Sequence, residues 1–246
     1  LEMISNIKKN LILKGYSFPI KILDENIAEQ IYEEYKQDLK KIKSERLKFE
    51  HKFKSHLVFP WMHNLMTNNK IIEIAKQILG ENILCWNSII FFKKGGTNNF
   101  VGWHEDKTYW QLRNDNVLTF SLALTKSSKD NGCLKILKKK REVVYETKDT
   151  KNNMLARGQN AIISKDEDFD YVELSPGECS LFKQDVVHGS DSNKSENDRM
   201  LVALRYISTD NFNKNNHKSA YLVNGVDKYN FYENEPTPNK KFDKRC

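Results

Sequence analysis

No stretch of these 246 residues approaches the roughly eighteen consecutive apolar positions that a membrane helix needs, so no membrane span is expected. Cysteine is scarce. The four present (Cys85, Cys133, Cys179 and Cys246) lie far apart without a CxxC pair, which argues against a zinc ribbon or a disulfide scaffold. Cys85 and Cys179 sit inside apolar patterns and read as buried free thiols. There is no GxSxG elbow, so Ser180 and Ser190 do not read as hydrolase nucleophiles. The N-terminal end lacks a signal-type apolar core, and Leu1-Glu2 ahead of Met3 reads as a cloning remnant. Together these absences lead to the expectation of a cytoplasmic protein.

What is present is charge and aromatic mass. The formal net charge is +7. Lysines are spread along the chain as well as gathered at Lys138-Lys139-Lys140-Arg141, so a basic face that draws in small anions fits better than a nucleic-acid tract. Thirteen Phe, ten Tyr and four Trp support a packed globule despite a hydrophobic content of 39%. The length suits one domain. Helical periodicity is expected over Ile4 to Tyr16, Asp24 to Arg46 and Asn69 to Leu79, the last ending at Gly80. From Asn82 the pattern turns to short β-rich runs separated by Gly, Asn, Asp and Pro clusters. The expected organisation is a helical region over 3–80, a β core over 81–210 and a polar, surface-wrapping or mobile tail over 211–246. This gives a mainly β fold with flanking helices, a double-sheet jelly roll (double-stranded β-helix).

One triplet concentrates the chemistry. His104 and Asp106 stand two apart after Val101-Gly102-Trp103, and alternate residues of an extended strand point to one side. A distant His188, in Asp185-Val186-Val187-His188-Gly189-Ser190, can complete a set of two imidazoles and one carboxylate. Such a set leaves coordination positions open and is typical of non-haem Fe(II) oxygenases. Arg199 follows on the next strand with a planar fork suited to a carboxylate. His51, His56 and His63 lack zinc-site spacing and read as surface or pocket histidines.

At these residues the sequence resembles the phytanoyl-CoA dioxygenase family of Fe(II)- and 2-oxoglutarate-dependent oxygenases. The likeness runs from about Trp86 to Ile207. It is carried, in order, by Trp86 to Lys93, Phe100 to Trp110, Asp130 to Leu137, Leu155 to Gln159, Pro176-Gly177-Glu178, and His188-Gly189-Ser190 with Arg199 eleven residues after the histidine. It implies that His104, Asp106 and His188 hold iron, that Arg199 pairs with the distal carboxylate of 2-oxoglutarate, and that Ser190 bonds near it. Asn87 is a further candidate contact to the cosubstrate. Tyr109, Trp110, Lys93 and Arg157 are the candidate substrate residues. Three positions depart from the family pattern: Glu105 stands where Gln is frequent, Ser121 where a Trp contacts the cosubstrate, and Lys93-Lys94-Gly95-Gly96 where Lys-x-Pro-Gly is frequent.

The chemistry that the resemblance implies uses Fe(II), 2-oxoglutarate and O2 and releases succinate and CO2. Because Asp106 occupies the position that a halogenating relative leaves for halide, hydroxylation is expected. The expected substrate is a small polar or anionic metabolite, with no nucleic-acid or membrane partner; oligomeric state is not legible. Two alternatives stand beside this reading: a cupin-like metal enzyme that does not use 2-oxoglutarate, and a catalytically silent binding relative.

Overall fold

The computed structural model describes residues 2–44, 52–138, 144–147, 152–155, 159–213 and 219–238. Five α-helices occur among them: α1 (Glu2–Leu13), α2 (Glu25–Ser44), α3 (Pro60–Met66), α4 (Asn69–Leu79) and α5 (Lys107–Trp110). The strands are β1 (Tyr16–Lys21), β2 (Ile83–Lys93), β3 (Val101–His104), β4 (Val117–Ala123), β5 (Leu134–Leu137), β6 (Tyr145–Thr147), β7 (Gln159–Ala161), β8 (Phe169–Val172), β9 (Glu178–Phe182), β10 (His188–Ser190), β11 (Arg199–Ser208), β12 (Ser219–Asn224) and β13 (Glu233–Asn234). No helix among the described residues is long and apolar enough to cross a membrane.

Strand alternation builds the layers. A seven-stranded sheet runs in the order β1-β9-β4-β11-β2-β12-β13, and a four-stranded sheet runs β3-β10-β5-β8. Along β11 the even positions Met200, Val202, Leu204 and Tyr206 face a core shared with α1 to α4. The odd positions face the other way. Leu201 joins a cluster with Ala123, Ile136, Val172 and Phe182 between the two sheets, and Ile207 joins Trp86, Trp110 and Val117 at one end. A period of two therefore assigns Arg199 and Arg205 to the inter-sheet face. This is the jelly roll with a helical backing that the residue pattern predicts.

Helix α4 begins and ends where its residues direct. The Asn68 side chain accepts from Lys70 N–H and Ile71 N–H, and Gly80 closes the helix at φ 92°. Other expectations give way to tertiary pairing. The helix expected to reach Tyr16 stops at Leu13, and Tyr16–Lys21 pairs with β9 at the edge of the large sheet. The tail expected to wrap the surface or move contributes β12, which pairs with β2, and β13 beside it. Sequence periodicity is too short in either segment to announce a strand, and docking against a preformed neighbour decides it.

The expected surface or pocket histidines also differ. His56 is fully buried, bonded through Nδ1 to Ser88 Oγ (2.7 Å) and through Nε2 to Glu235 Oε2 (2.7 Å). Lys54 Nζ pairs with Glu235 Oε1 and donates to Ser219 O (2.6 Å), so one carboxylate ties the C-terminal segment to Lys54 and His56, and His56 in turn to Ser88 of β2. His63 is buried with its ring edge-on to Tyr221. His51 lies outside the described residues.

Candidate metal centre between the sheets

Both histidines are fixed by backbone carbonyls. His104 ends β3 and His188 starts β10, directly opposite each other across the antiparallel pair. The register then shifts between His188 and Ser190. A Cβ on Gly189 would come 3.0 Å from Val101 O, so only glycine lets the strands approach this closely without a shift. His104 Nδ1–H donates to Gly102 O (2.9 Å) and His188 Nδ1–H to Val186 O (2.9 Å). A carbonyl can only accept, so Nδ1 holds the proton in each ring and both Nε2 atoms are left as lone-pair donors.

Electrostatics favours the same state. Burial first and then the neighbouring His188 push His104 down to about 3, and burial lowers His188. Neutral imidazoles are the metal-binding form. Asp106 is buried beside them, its Oδ2 without a hydrogen-bond partner among the described residues. Ligand atoms of His104, Asp106 and His188 lie within 4.8 Å of one another. Two aligned nitrogens and an orphaned carboxylate oxygen make a donor set that fits a divalent transition metal.

Asp106 reaches the site differently from the strand geometry expected. Its backbone is αR (φ −67°, ψ −31°) at the N-terminal edge of α5, and the turn after His104 rather than strand alternation brings the carboxylate round. That same short helix disposes the two aromatic candidates. Tyr109 sits 6.1 Å from the His104 ring, whereas Trp110 packs edge-on to Trp86 (5.2 Å) and beneath the Arg205 guanidinium (4.6 Å).

A second polar zone lies farther along the inter-sheet face. Arg199 and Lys93 are direct cross-strand partners on β11 and β2, at 1% and 0% exposure. Lys93 Nζ donates to Ser190 Oγ (2.6 Å), Ser190 O (3.3 Å) and the Asp191 carbonyl. It therefore points inward, toward the Arg199 zone, rather than out to solvent. Arg199 Nε has no partner, and neither cation forms an ion pair among the described residues, because the Asp191 carboxylate is taken by Lys135 (2.7 Å). Burial, followed by the charge of Arg199, lowers Lys93 from 10.5 to about 6, and burial lowers Arg199 to about 10. A buried guanidinium beside a buried amine, with no carboxylate between them, calls for an anion, whose arrival would also restore the proton to Lys93.

Asn87 is placed elsewhere, cross-strand from Arg205 near the metal centre, with Oδ1 accepting from Lys54 N–H (3.4 Å). Ser121 faces the same space beside Ala203. Arg157 lies outside the described residues. Arg205 and Thr119 stand out in the structure more than in the sequence. Arg205 Nη2 is 3.5 Å from Asp106 Oδ1, and the Thr119 hydroxyl is buried without a partner. Their strand alternation with Arg199 and Ser121 was the available signal.

Comparison with known proteins agrees with this geometry. The family model for phytanoyl-CoA dioxygenase (PhyH) matches residues 23–201. The chain belongs to the phytanoyl-CoA dioxygenase family. Within it, the chain is 28% identical over 187 residues to a probable alpha-ketoglutarate-dependent hypophosphite dioxygenase of Stutzerimonas stutzeri, over 72% of this chain and 60% of that protein. A methylphosphonate hydroxylase of Gimesia maris is 23% identical over 149 residues, covering 59% of this chain and 53% of its own. The chain thus spans somewhat over half the length of the curated relatives it matches. Among solved structures, the apo non-heme monooxygenase ThoJ superposes with a TM-score of 0.84 at 23% identity, covering 97% of this chain and 91% of its own. CytC3 with Fe(II) and alpha-ketoglutarate gives 0.72 at 19% identity, over 96% and 94% of the two chains. At these identities the likeness is one of fold, and it agrees with the jelly roll described above.

Proposed function

We propose that the protein is an Fe(II)- and 2-oxoglutarate-dependent dioxygenase that hydroxylates a small polar or anionic metabolite. The observation that carries this reading is the pairing of two zones on one buried face. The first is a metal donor set of two tautomer-fixed histidines and Asp106, and the second is the basic pair Lys93–Arg199 with no carboxylate of its own among the described residues. A jelly-roll metal enzyme without an acidic cosubstrate would leave that pair facing nothing.

Iron bound at the triad would supply oxidative decarboxylation of 2-oxoglutarate to succinate and CO2, with transfer of one oxygen atom of O2 to a C–H or comparable bond of the substrate. The chain's own residues do the placing. His104, Asp106 and His188 would hold the metal with three protein ligands. Arg199 would pair with the distal carboxylate of 2-oxoglutarate, and Lys93, anchored by Ser190, would add a second positive charge once the anion is bound. Leu201, Phe91 and Ala123 line the stretch between the zones and keep water from it. Tyr109 borders the His104 ring. Asp106, present as the carboxylate ligand, leaves no place for halide and favours hydroxylation.

The test is succinate release from 2-oxoglutarate with Fe(II), comparing wild type with Arg199→Ala. Release by wild type and its loss in the variant are expected. No succinate from Fe(II)-loaded wild type across a panel of small acids would overturn the reading.

A further inference from the structure

Arg205 is the one buried guanidinium near the metal centre that the scheme above leaves without work. It lies six residues beyond Arg199 on β11, on the same face, at 8% exposure. Its single hydrogen bond among the described residues is the 3.5 Å contact to Asp106 Oδ1, at the long limit of such bonds, and its Nε has none. Trp110 stacks on one face of the guanidinium, which holds the plane in place without using its N–H donors. A fork fixed in a dry site with donors to spare is a receptor waiting for acceptor oxygens.

The neighbours of Arg205 extend that receptor. The register sets Asn87 on β2 and Thr119 on β4 directly beside it, one on each side. Lys54 N–H takes Asn87 Oδ1, which turns the amide nitrogen into the donor offered to the row. Thr119 Oγ1 is buried with no partner among the described residues. The next row along the face carries the small side chains Ala203 and Ser121, and Ser180, cross-strand from Ser121, holds another buried hydroxyl without a partner. Orphaned hydroxyls are rare in a folded interior and cost free energy unless something satisfies them.

Charge points the same way. With a dication at the triad and a dicarboxylate against Arg199, the buried set of Asp106, Arg199 and Arg205 keeps at least one positive charge without a partner. An anionic substrate head removes it.

Resting on the dioxygenase reading above, we propose that Arg205, Asn87 and Thr119 form the substrate-anion subsite, and that it takes the head of a small phosphorus oxyanion such as a one-carbon phosphonate. Three donors from three adjacent strands suit a head with three tetrahedral oxygens better than a planar carboxylate. Arg205 already touches Asp106, so the head sits at the metal's shoulder and the bond to be oxidised is one or two bonds from it. The substrate is therefore short. The hypophosphite dioxygenase and methylphosphonate hydroxylase relatives accord with this chemistry.

Calorimetric titration of methylphosphonate into the protein loaded anaerobically with Fe(II) and 2-oxoglutarate tests the subsite without turnover. Wild type should bind it more tightly than acetate. Arg205→Gln should weaken methylphosphonate at least about tenfold, as expected for losing a charge-assisted contact, while metal content and 2-oxoglutarate affinity stay within about twofold. Thr119→Val keeps the side-chain shape and should weaken methylphosphonate severalfold without lowering the melting temperature.

Equal losses of methylphosphonate and 2-oxoglutarate in Arg205→Gln would overturn the proposal, assigning Arg205 to the cosubstrate. Unchanged methylphosphonate affinity, or tighter binding of acetate by wild type, would also overturn it. If Arg205→Gln does not fold, Thr119→Val decides: an unchanged affinity rejects the subsite. Failure of the wild type to take up Fe(II) and 2-oxoglutarate at all would instead reject the dioxygenase reading, and the two failures are distinct.

Discussion

His188 sits directly across the β3–β10 pair from His104, and each ring donates its Nδ1–H to the carbonyl two residues upstream in its own chain segment. The ring centroids are 4.2 Å apart. This matched arrangement presents two Nε2 lone pairs before any metal arrives, so the ordering cost of the site falls on folding rather than on binding.

Metal uptake should therefore depend on both rings. His104→Ala and His188→Ala should each reduce bound Fe(II) from one equivalent to near none at micromolar metal, while the far-ultraviolet circular dichroism stays that of wild type. Elemental analysis after gel filtration measures it, and full occupancy in both variants would remove the assignment.

Arg199→Ala should weaken 2-oxoglutarate by about a hundredfold, the cost of losing a bidentate charged contact in a buried pocket. Arg205 shares the strand face and is the internal control. A loss of 2-oxoglutarate affinity in Arg205→Ala but not in Arg199→Ala would mean that the wrong arginine has been chosen.

Lys93 gives a pH signature. In the ligand-free protein it is held down to about 6, by burial first and by Arg199 next, with Asp191 opposing; Cys133 and Lys135 also face it. A dicarboxylate arriving beside it raises its pKa again, so binding takes up a proton above pH 6, and affinity falls as pH rises from there. Calorimetry at pH 7.5 in two buffers of different ionisation enthalpy should detect that uptake, and Lys93→Met should abolish it. The linked stability effect has a definite sign: above about 6 and up to the ordinary lysine range the unfolded chain holds a proton that the folded chain has released, so ligand-free stability rises with pH.

Reaction outcome follows from Asp106. Under labelled O2, succinate and the hydroxylated product should each carry one labelled oxygen, and excess chloride or bromide should leave the products unchanged by mass spectrometry. A halogenated product from wild type would show that the carboxylate does not ligate the metal.

Glu235 should matter to stability well away from the chemistry. Glu235→Ala leaves the buried His56 and the half-buried Lys54 without their shared carboxylate. Breaking such a buried pair costs about 3–5 kcal/mol. Urea denaturation would read this, with a cost near zero indicating that water replaces the carboxylate.

The sequence by itself determined the family, the jelly roll and the metal donor set. These follow from short-range rules: period-two alternation along β11 sets which residues share a face, and the ordered motifs from Trp86 to Arg199 carry the ligand identities. Only the tertiary structure decided the rest. Asp106 joins the two histidines by a helical turn, Lys93 lies against Ser190 and across from Arg199, Asn87 and Thr119 flank Arg205, and the segments at Tyr16 and Ser219 become sheet strands. Each depends on strand register or on docking between residues far apart in the chain. A shift of one residue in register would turn the strand-borne side chains Lys93, Asn87 and Thr119 to the opposite face, and no local pattern specifies which neighbour a strand will find.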